Sequence, residues 1–310
     1  MRILIAGGSG MIGRRLTSLL VDNGDIVTIL SRNPAKVREI TGQVKALRWD
    51  GKTVQDWGKE IENVDAVVNL TGENLSGEGI FPNRWTKERK NRLLSSRVNS
   101  GKALTQAIEM AGHKPSVFIQ ASGIGYYGVS QDKTFTEQDG TGNDFMSALG
   151  KEWEASSAPV ESLGLRRIVV RNGVVLSTTG GALRPLFLQY RLFAGGPLGT
   201  GKQYYSWIHI DDEAGAIRFL ILQEAARGAF NLTAPNPLTN DEFGRTIAKV
   251  MHRPHYFPVP SFAMYLAFGE VAGMVLDGQK VIPKKLLELG YVFKFPALEE
   301  AMSDLLKHKS

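Results

Sequence analysis

Gly7, Gly10 and Gly13 are evenly spaced in the run Gly7-Gly8-Ser9-Gly10-Met11-Ile12-Gly13. The run follows the apolar stretch Ile3-Leu4-Ile5. It leads into Ile12, Leu16, Leu19 and Leu20, which are spaced as one face of a helix. A strand, a glycine turn and a helix in that order suit a diphosphate. One glycine allows the tight turn, one lets the ligand touch backbone, and the last lets helix and strand pack closely. The N–H groups around Ser9, Met11 and Ile12, with the positive end of the helix, hold the anion. A dinucleotide cofactor at Gly7, Ser9, Gly10, Met11, Ile12 and Gly13 is therefore expected. The end of the next strand selects between cofactors. An acid there binds the ribose hydroxyl of NAD, and a basic group accommodates the 2′-phosphate of NADP. This chain carries Ser31-Arg32 and no acid, which predicts NADP, with Arg14 placed to assist. The rival reading makes Arg32 a plain surface residue.

Other residues with chemical capacity are scattered. Glu73 and Asn74 follow an apolar strand, where open α/β sheets bind ligands; they are equally good loop caps. Arg171 ends another strand, where it could meet a substrate or a phosphate. Tyr204, Tyr205, Trp207 and His209 follow the glycine-rich stretch 195–201. They suit either a substrate contact beside a lid or an inter-lobe core. The five histidines show no ligand spacing, and no metal site is expected. There is no cysteine, so thiolate catalysis and disulfides are excluded.

These residues need a frame. Strands are expected at 2–6, 25–31, 44–49, 64–70, 116–121 and 167–170, and helices at 11–23, from 34, 85–111 and 145–163. Strands alternating with helices give an α/β fold, a doubly wound parallel sheet. The expected nucleotide-binding domain is residues 1–171 and 206–234. Residues 172–205 and 235–310 are expected to form a smaller, discontinuous substrate lobe. The apolar stretch Phe257 to Leu276 carries Pro258, Pro260 and Glu270, so it reads as a buried or partner-facing helix, a homodimer surface being one use, and not as a membrane span. Net charge is +6, from 37 basic and 31 acidic residues spread along 310 positions, so a nucleic-acid partner is not expected. The first residues lack a leader pattern, and with no cysteine this suggests the cytoplasm.

Several segments in order resemble the extended short-chain dehydrogenases/reductases, the superfamily of nucleotide-sugar epimerases and dehydratases. They are the Gly7–Gly13 loop, Asn69-Leu70-Thr71-Gly72, Ser96-Arg97-Val98-Asn99, Ala121-Ser122-Gly123 with Tyr127-Gly128, and Trp207-Ile208-His209-Ile210-Asp211-Asp212. Thr71-Gly72-Glu73-Asn74, Trp153-Glu154, Arg171 to Leu176 and Gly278 to Pro283 narrow the likeness. They resemble the atypical, YfcH-like epimerase family, whose members carry a small C-terminal domain of unknown function, matched here at about 255–302. The resemblance implies a Rossmann fold and NADP. It implies cofactor contacts at Leu70, Thr71, Gly72, Arg97 and Lys151, and hydride transfer on a small carbonyl or hydroxyl compound or a nucleotide sugar.

The chain departs from the superfamily at its catalytic helix. Lys151 fits the Lys of Tyr-x-x-x-Lys, but Ser147 stands where the Tyr belongs. An alkanol is far too weak an acid to replace a phenol. The usual serine slot falls on Gly123, with Ser122 beside it. Three readings follow. Tyr127 or Tyr126 supplies the proton, with Ser122 and Lys151 orienting the substrate; the reaction needs no strong base; or the protein binds NADPH without turnover, as a regulatory or interaction protein.

Overall fold

The computed structural model describes residues 1–37, 42–77, 79, 82–181 and 183–307. Seven strands form the central sheet: β1 (Arg2–Ala6), β2 (Ile26–Ser31), β3 (Val44–Arg48), β4 (Ala66–Asn69), β5 (Val117–Gly123), β6 (Arg166–Asn172) and β7 (Gly228–Leu232). Their order is β7-β6-β5-β4-β1-β2-β3, and every pairing is parallel. The order reverses between β1 and β4, and the crevice at such a switch point, beyond the strands' carboxyl ends, is where this architecture binds ligands.

The strands are apolar on both faces because both faces are covered. Ile3, Ile5, Val68 and Ile119 share one core with Leu16 and Leu20 of α1 (Met11–Asp22). Leu4, Val67 and Phe118 share the other with Leu104 and Ile108 of α2 (Lys87–Met110). Each fully buried leucine of this kind contributes roughly 2 kcal/mol. Thr86 caps α2 by accepting from the Arg89 amide, and Asp144 caps α3 (Phe145–Ala155) by accepting from the Ser147 amide. α3 is shorter than the expected 145–163. Its C-cap is Ser156, and Pro159 starts a separate 3-10 turn over Ala158–Glu161.

Register places the functional side chains. Ser122 of β5 pairs with Arg171 of β6, which pairs with Asn231 of β7. Three polar side chains thus stand in one row at the sheet's carboxyl edge. The remaining helices are α4 (Leu183–Arg191), α5 (Ile210–Leu222), which packs beside α1, α6 (Asn240–Met251) and α7 (Ser261–Phe268). Short ribbons tie them down, with 174–176 parallel to 207–209 and 280–281 parallel to 134–135. The expected helix within 257–276 is broken. It starts only after Pro260, and Gly269 at φ +64° ends it. No residue of α7 is buried. Among the described residues, no helix is long and apolar enough to cross a membrane.

Candidate functional site

The glycine loop has the backbone that the spacing predicts. Gly7 sits at φ +81°, and a Cβ there would lie 2.9 Å from the Leu70 carbonyl. At Gly13 a Cβ would lie 2.5 Å from the Cα of Gly8. Gly10 begins α1 without any side-chain cap, and α1 has no acidic residue in its first turn. The first amides of the helix, including those of Met11 and Ile12, are therefore open to an anion. Ser31 donates to Ser9 Oγ at 3.0 Å, and Arg14 Nε donates to the Ser9 carbonyl at 3.2 Å. Arg32, next to Ser31, is exposed and makes no side-chain hydrogen bond or ion pair among the described residues. These groups fit a dinucleotide carrying an extra phosphate. A turn at Gly180 and Gly181 packs within 3.5 Å of Met11 when a Cβ is placed on either glycine. That neighbour of the loop was not anticipated in the sequence.

The segment after β4 abuts this loop. Asn69 is fully buried, donates to Gln120 Oε1 at 3.2 Å and accepts from the Thr71 amide at 3.2 Å. This pins Leu70, Thr71 and Gly72 over the sheet edge. The Glu73 amide donates to Ser96 Oγ at 3.1 Å, and the Glu73 carboxylate lies 3.7 Å from Arg89 and 3.6 Å from Arg92. Asn74 accepts from the Ser76 amide at 3.0 Å, which is a capping role for its side chain.

At the ends of β5 and β6 a polar network fills the row set by the register. Arg171 grips Glu154 of α3 with two bonds, Nε to Oε1 at 2.8 Å and Nη2 to Oε2 at 2.9 Å. Ser122 donates to the same Oε1 at 2.8 Å. Arg171 Nη1 donates to the Tyr127 hydroxyl at 3.0 Å, and that hydroxyl donates to Asn231 Oδ1 at 2.6 Å. The half-buried Tyr126 ring lies 3.6 Å from the guanidinium carbon of Arg171. Asn231 was not among the expected site residues, because a register match between distant strands leaves no local signal, and Glu154 was quoted only for the family likeness of Trp153-Glu154.

This geometry bears on four expectations. Tyr127 does not suit a proton donor that cycles through phenolate. Burial pushes its hydroxyl up to about 12 despite Arg171 beside it, and both of its bonds are already made. Trp207, open to a substrate contact or an inter-lobe core, is fully buried, with its indole N–H on the Asn236 carbonyl at 3.2 Å. His209 is also buried. It caps α5 by accepting from the Asp211 amide at 3.1 Å, and burial holds it near 4, so it stays neutral. Arg171 meets its protein carboxylate rather than open space.

Ser147, in the place of the usual tyrosine, is fully buried and donates to Asp144 Oδ1 at 2.8 Å. One turn on, Lys151 is exposed, and its ammonium makes no hydrogen bond or ion pair among the described residues. Arg97 is 5% exposed, with one hydrogen bond from Nη1 to the Leu93 carbonyl at 3.0 Å.

A parallel sheet ordered in this way, with a glycine loop at its switch point, defines a Rossmann nucleotide-binding protein of the extended short-chain dehydrogenase/reductase type. Residues 7–182 match the model of the NAD(P)H-binding family, and residues 259–305 match the domain of unknown function DUF1731. The chain is 38% identical to the epimerase family protein YfhF of Bacillus subtilis, over 99% of this chain and 98% of that protein. It is 40% identical to the epimerase family protein SSP1921 of Staphylococcus saprophyticus, over 98% of each. The chain belongs to this NAD(P)-binding epimerase family with a DUF1731 C-terminal domain. Among solved structures, the human epimerase family protein SDR39U1 (isoform 2) with NADPH is 34% identical, with TM-score 0.88 over 99% of both chains. The UDP-glucuronic acid 4-epimerase of Bacillus cereus shares the fold, with TM-score 0.79 at 16% identity.

Proposed function

We propose that the protein binds NADP(H) along the carboxyl edge of the sheet. There it transfers hydride to or from a carbonyl or hydroxyl group of a small compound or a nucleotide sugar. The carrying observation is the uncapped α1 N-terminus beside Ser9, Ser31 and Arg32, whose side chain has no partner among the described residues. It offers backbone donors for a diphosphate and a cation for a further phosphate. The NADPH named with the human relative agrees with this choice. The cofactor supplies the hydride.

In this reading Gly7, Gly10, Gly13 and the Leu70–Gly72 backbone shape the cofactor cleft. Lys151 orients a ribose or substrate hydroxyl. Ser122 presents its oxygen as an acceptor, since its proton is committed to Glu154. Arg171 and Tyr127 hold Glu154 and Tyr126 in place, with Tyr126 and Glu73 left to border the substrate. A second reading has its own support. Ser147 replaces the tyrosine and Tyr127 is locked, which favours an NADPH-binding regulatory protein without turnover. Nicotinamide absorbance followed across a panel of carbonyl compounds and sugar nucleotides separates the two. Substrate-dependent loss of NADPH establishes the enzyme, and tight binding with no turnover on the panel favours the regulator. We place the protein in the cytoplasm. We assign the exposed apolar α7, with Phe262 and Leu266 about three-quarters exposed, to a homodimer contact; a concentration-independent monomer in sedimentation would remove that assignment.

A further inference from the structure

The polar row at the ends of β5 and β6 is committed within the protein. Ser122 and Arg171 hold Glu154, and Asn231 takes the Tyr127 hydroxyl. One residue on, the same register sets Gly123 of β5 beside Asn172 of β6, and Asn172 beside Leu232 of β7. Side chains alternate between the two faces of a sheet, so this second row stands on the opposite face. On that face Ile119, Ala121, Ile168 and Val170 share a core with α1, the helix that leaves the glycine loop.

Asn172 carries the one polar side chain of this row, and it finds no partner inside the protein. Its Oδ1 is buried and unbonded; its amide nitrogen makes no hydrogen bond among the described residues and is not buried. A carboxamide left unbonded at a half-buried position is a cost that folds avoid. The backbone beyond it is fixed. The Gly173 amide donates to the Leu232 carbonyl at 2.9 Å and the Val174 amide to the Ser206 carbonyl at 2.9 Å, and a Cβ on Gly173 would come 2.5 Å from that Ser206 oxygen. Beside Asn172 there is room: a Cβ placed on Gly123 meets nothing nearer than the Asn172 carbonyl, 3.8 Å away. A rigidly held amide thus borders a gap at the carboxyl edge of the sheet.

We propose that Asn172 is a ligand-binding residue whose amide N–H donates to a carbonyl oxygen in the cleft. That oxygen belongs to the reacting carbon of the substrate or to the carboxamide of the cofactor. The proposal rests on the hydride-transfer reading above. When a carbonyl accepts the hydride that the cofactor supplies, its π pair moves onto the oxygen, and water provides the proton that completes the alcohol. A fixed amide donor stabilises the oxygen as charge gathers there and releases no proton itself. It suits a chain in which Ser147 stands in the place of the phenol.

Asn172→Leu keeps the shape of the side chain and removes the amide, and Asn172→Ala removes it without bulk. For both variants and the wild type, the measurements are the urea midpoint without ligand, the Kd of NADPH, the Kd of 2′-phospho-ADP-ribose, which lacks the nicotinamide, and turnover with any carbonyl compound found active. The midpoint of Asn172→Leu should be unchanged or raised, because an unbonded polar group has gone. If the acceptor is the substrate, kcat/KM falls by about a hundredfold at unchanged NADPH affinity. If it is the cofactor, NADPH binds about tenfold more weakly and 2′-phospho-ADP-ribose binds as before. Where nothing turns over, the hydride-transfer reading fails by itself, and Asn172 keeps its role only if NADPH affinity falls. A midpoint lowered in both variants assigns Asn172 to the fold and overturns the proposal. So does equal weakening of both nucleotides, or NADPH affinity and turnover that match the wild type.

Discussion

Glu213 of α5 offers a stability test worked directly from the fold. It has no exposed surface, and neither carboxylate oxygen has a hydrogen-bond partner among the described residues. Burial raises its carboxyl from the ordinary 4.5 to about 8. The folded state therefore binds the proton more tightly than the unfolded chain. Below pH 4.5 the group is protonated in both states and adds no ionisation penalty. As pH rises, the unfolded chain releases its proton first, and stability falls until the folded group also ionises near 8. At about 1.4 kcal/mol per tenfold change in proton affinity, the whole interval is worth about 5 kcal/mol, and about 3 kcal/mol is already lost at pH 7. Glu213→Met, apolar and of similar length, removes the ionisation. Urea denaturation of both proteins at pH 5, 7 and 9 should show a stability advantage for the variant that grows by several kcal/mol over that range. A constant offset between the two proteins across the same range would refute the reasoning.

Three further outcomes are expected. Arg32→Glu should reverse the preference between NADPH and NADH, moving the ratio of their dissociation constants by tenfold or more; a ratio near one in the unmodified protein would sink the NADP assignment. Gly13→Ala forces a methyl to 2.5 Å from the Gly8 Cα, so cofactor affinity should collapse and the melting temperature drop together. Tyr127→Phe deletes the bonds to Asn231 and Arg171 and should cost about 1–3 kcal/mol of stability. If the protein turns over, that variant should keep its rate within a few-fold, and a loss of a thousandfold would restore the phenol to the chemistry.

The geometry of the glycine loop was legible because it is local. Gly7, Gly10 and Gly13 act through their own backbone, and Ser31-Arg32 closes a strand whose apolar run announces its end. Ser147 and Lys151 were readable for the same reason, as a fixed spacing on one helix. The rest of the site depends on partners far apart in the chain. Arg171 looked like a free cation because its carboxylate, Glu154, comes from a different element. Tyr127 looked like an acid because nothing near it in sequence indicates Asn231. Trp207 and His209 were ambiguous for a different reason: an aromatic cluster serves a core as well as a substrate, and only burial separates the two. The break in 257–276 was written in Pro258, Pro260 and Gly269, whose effect outweighs the apolar run around them.

The late chain also sets when the site can exist. Asn231, which receives the Tyr127 hydroxyl, donates through Nδ2 to the Ile282 carbonyl at 3.0 Å. Gln279 donates to the Ile124 carbonyl at 3.1 Å, and Val281 pairs with Phe135. During synthesis, the glycine loop and the first five strands emerge long before these residues, but α1 still lacks α5, with which it shares a core and which pairs its Asp211 with Arg15 at 2.6 Å. The row at the ends of β5 and β6 waits longer, for nearly the whole polypeptide. A truncated chain would therefore carry Ser122, Tyr127 and Arg171 without the late partners that fix Asn231 and the Ile124 turn beside them.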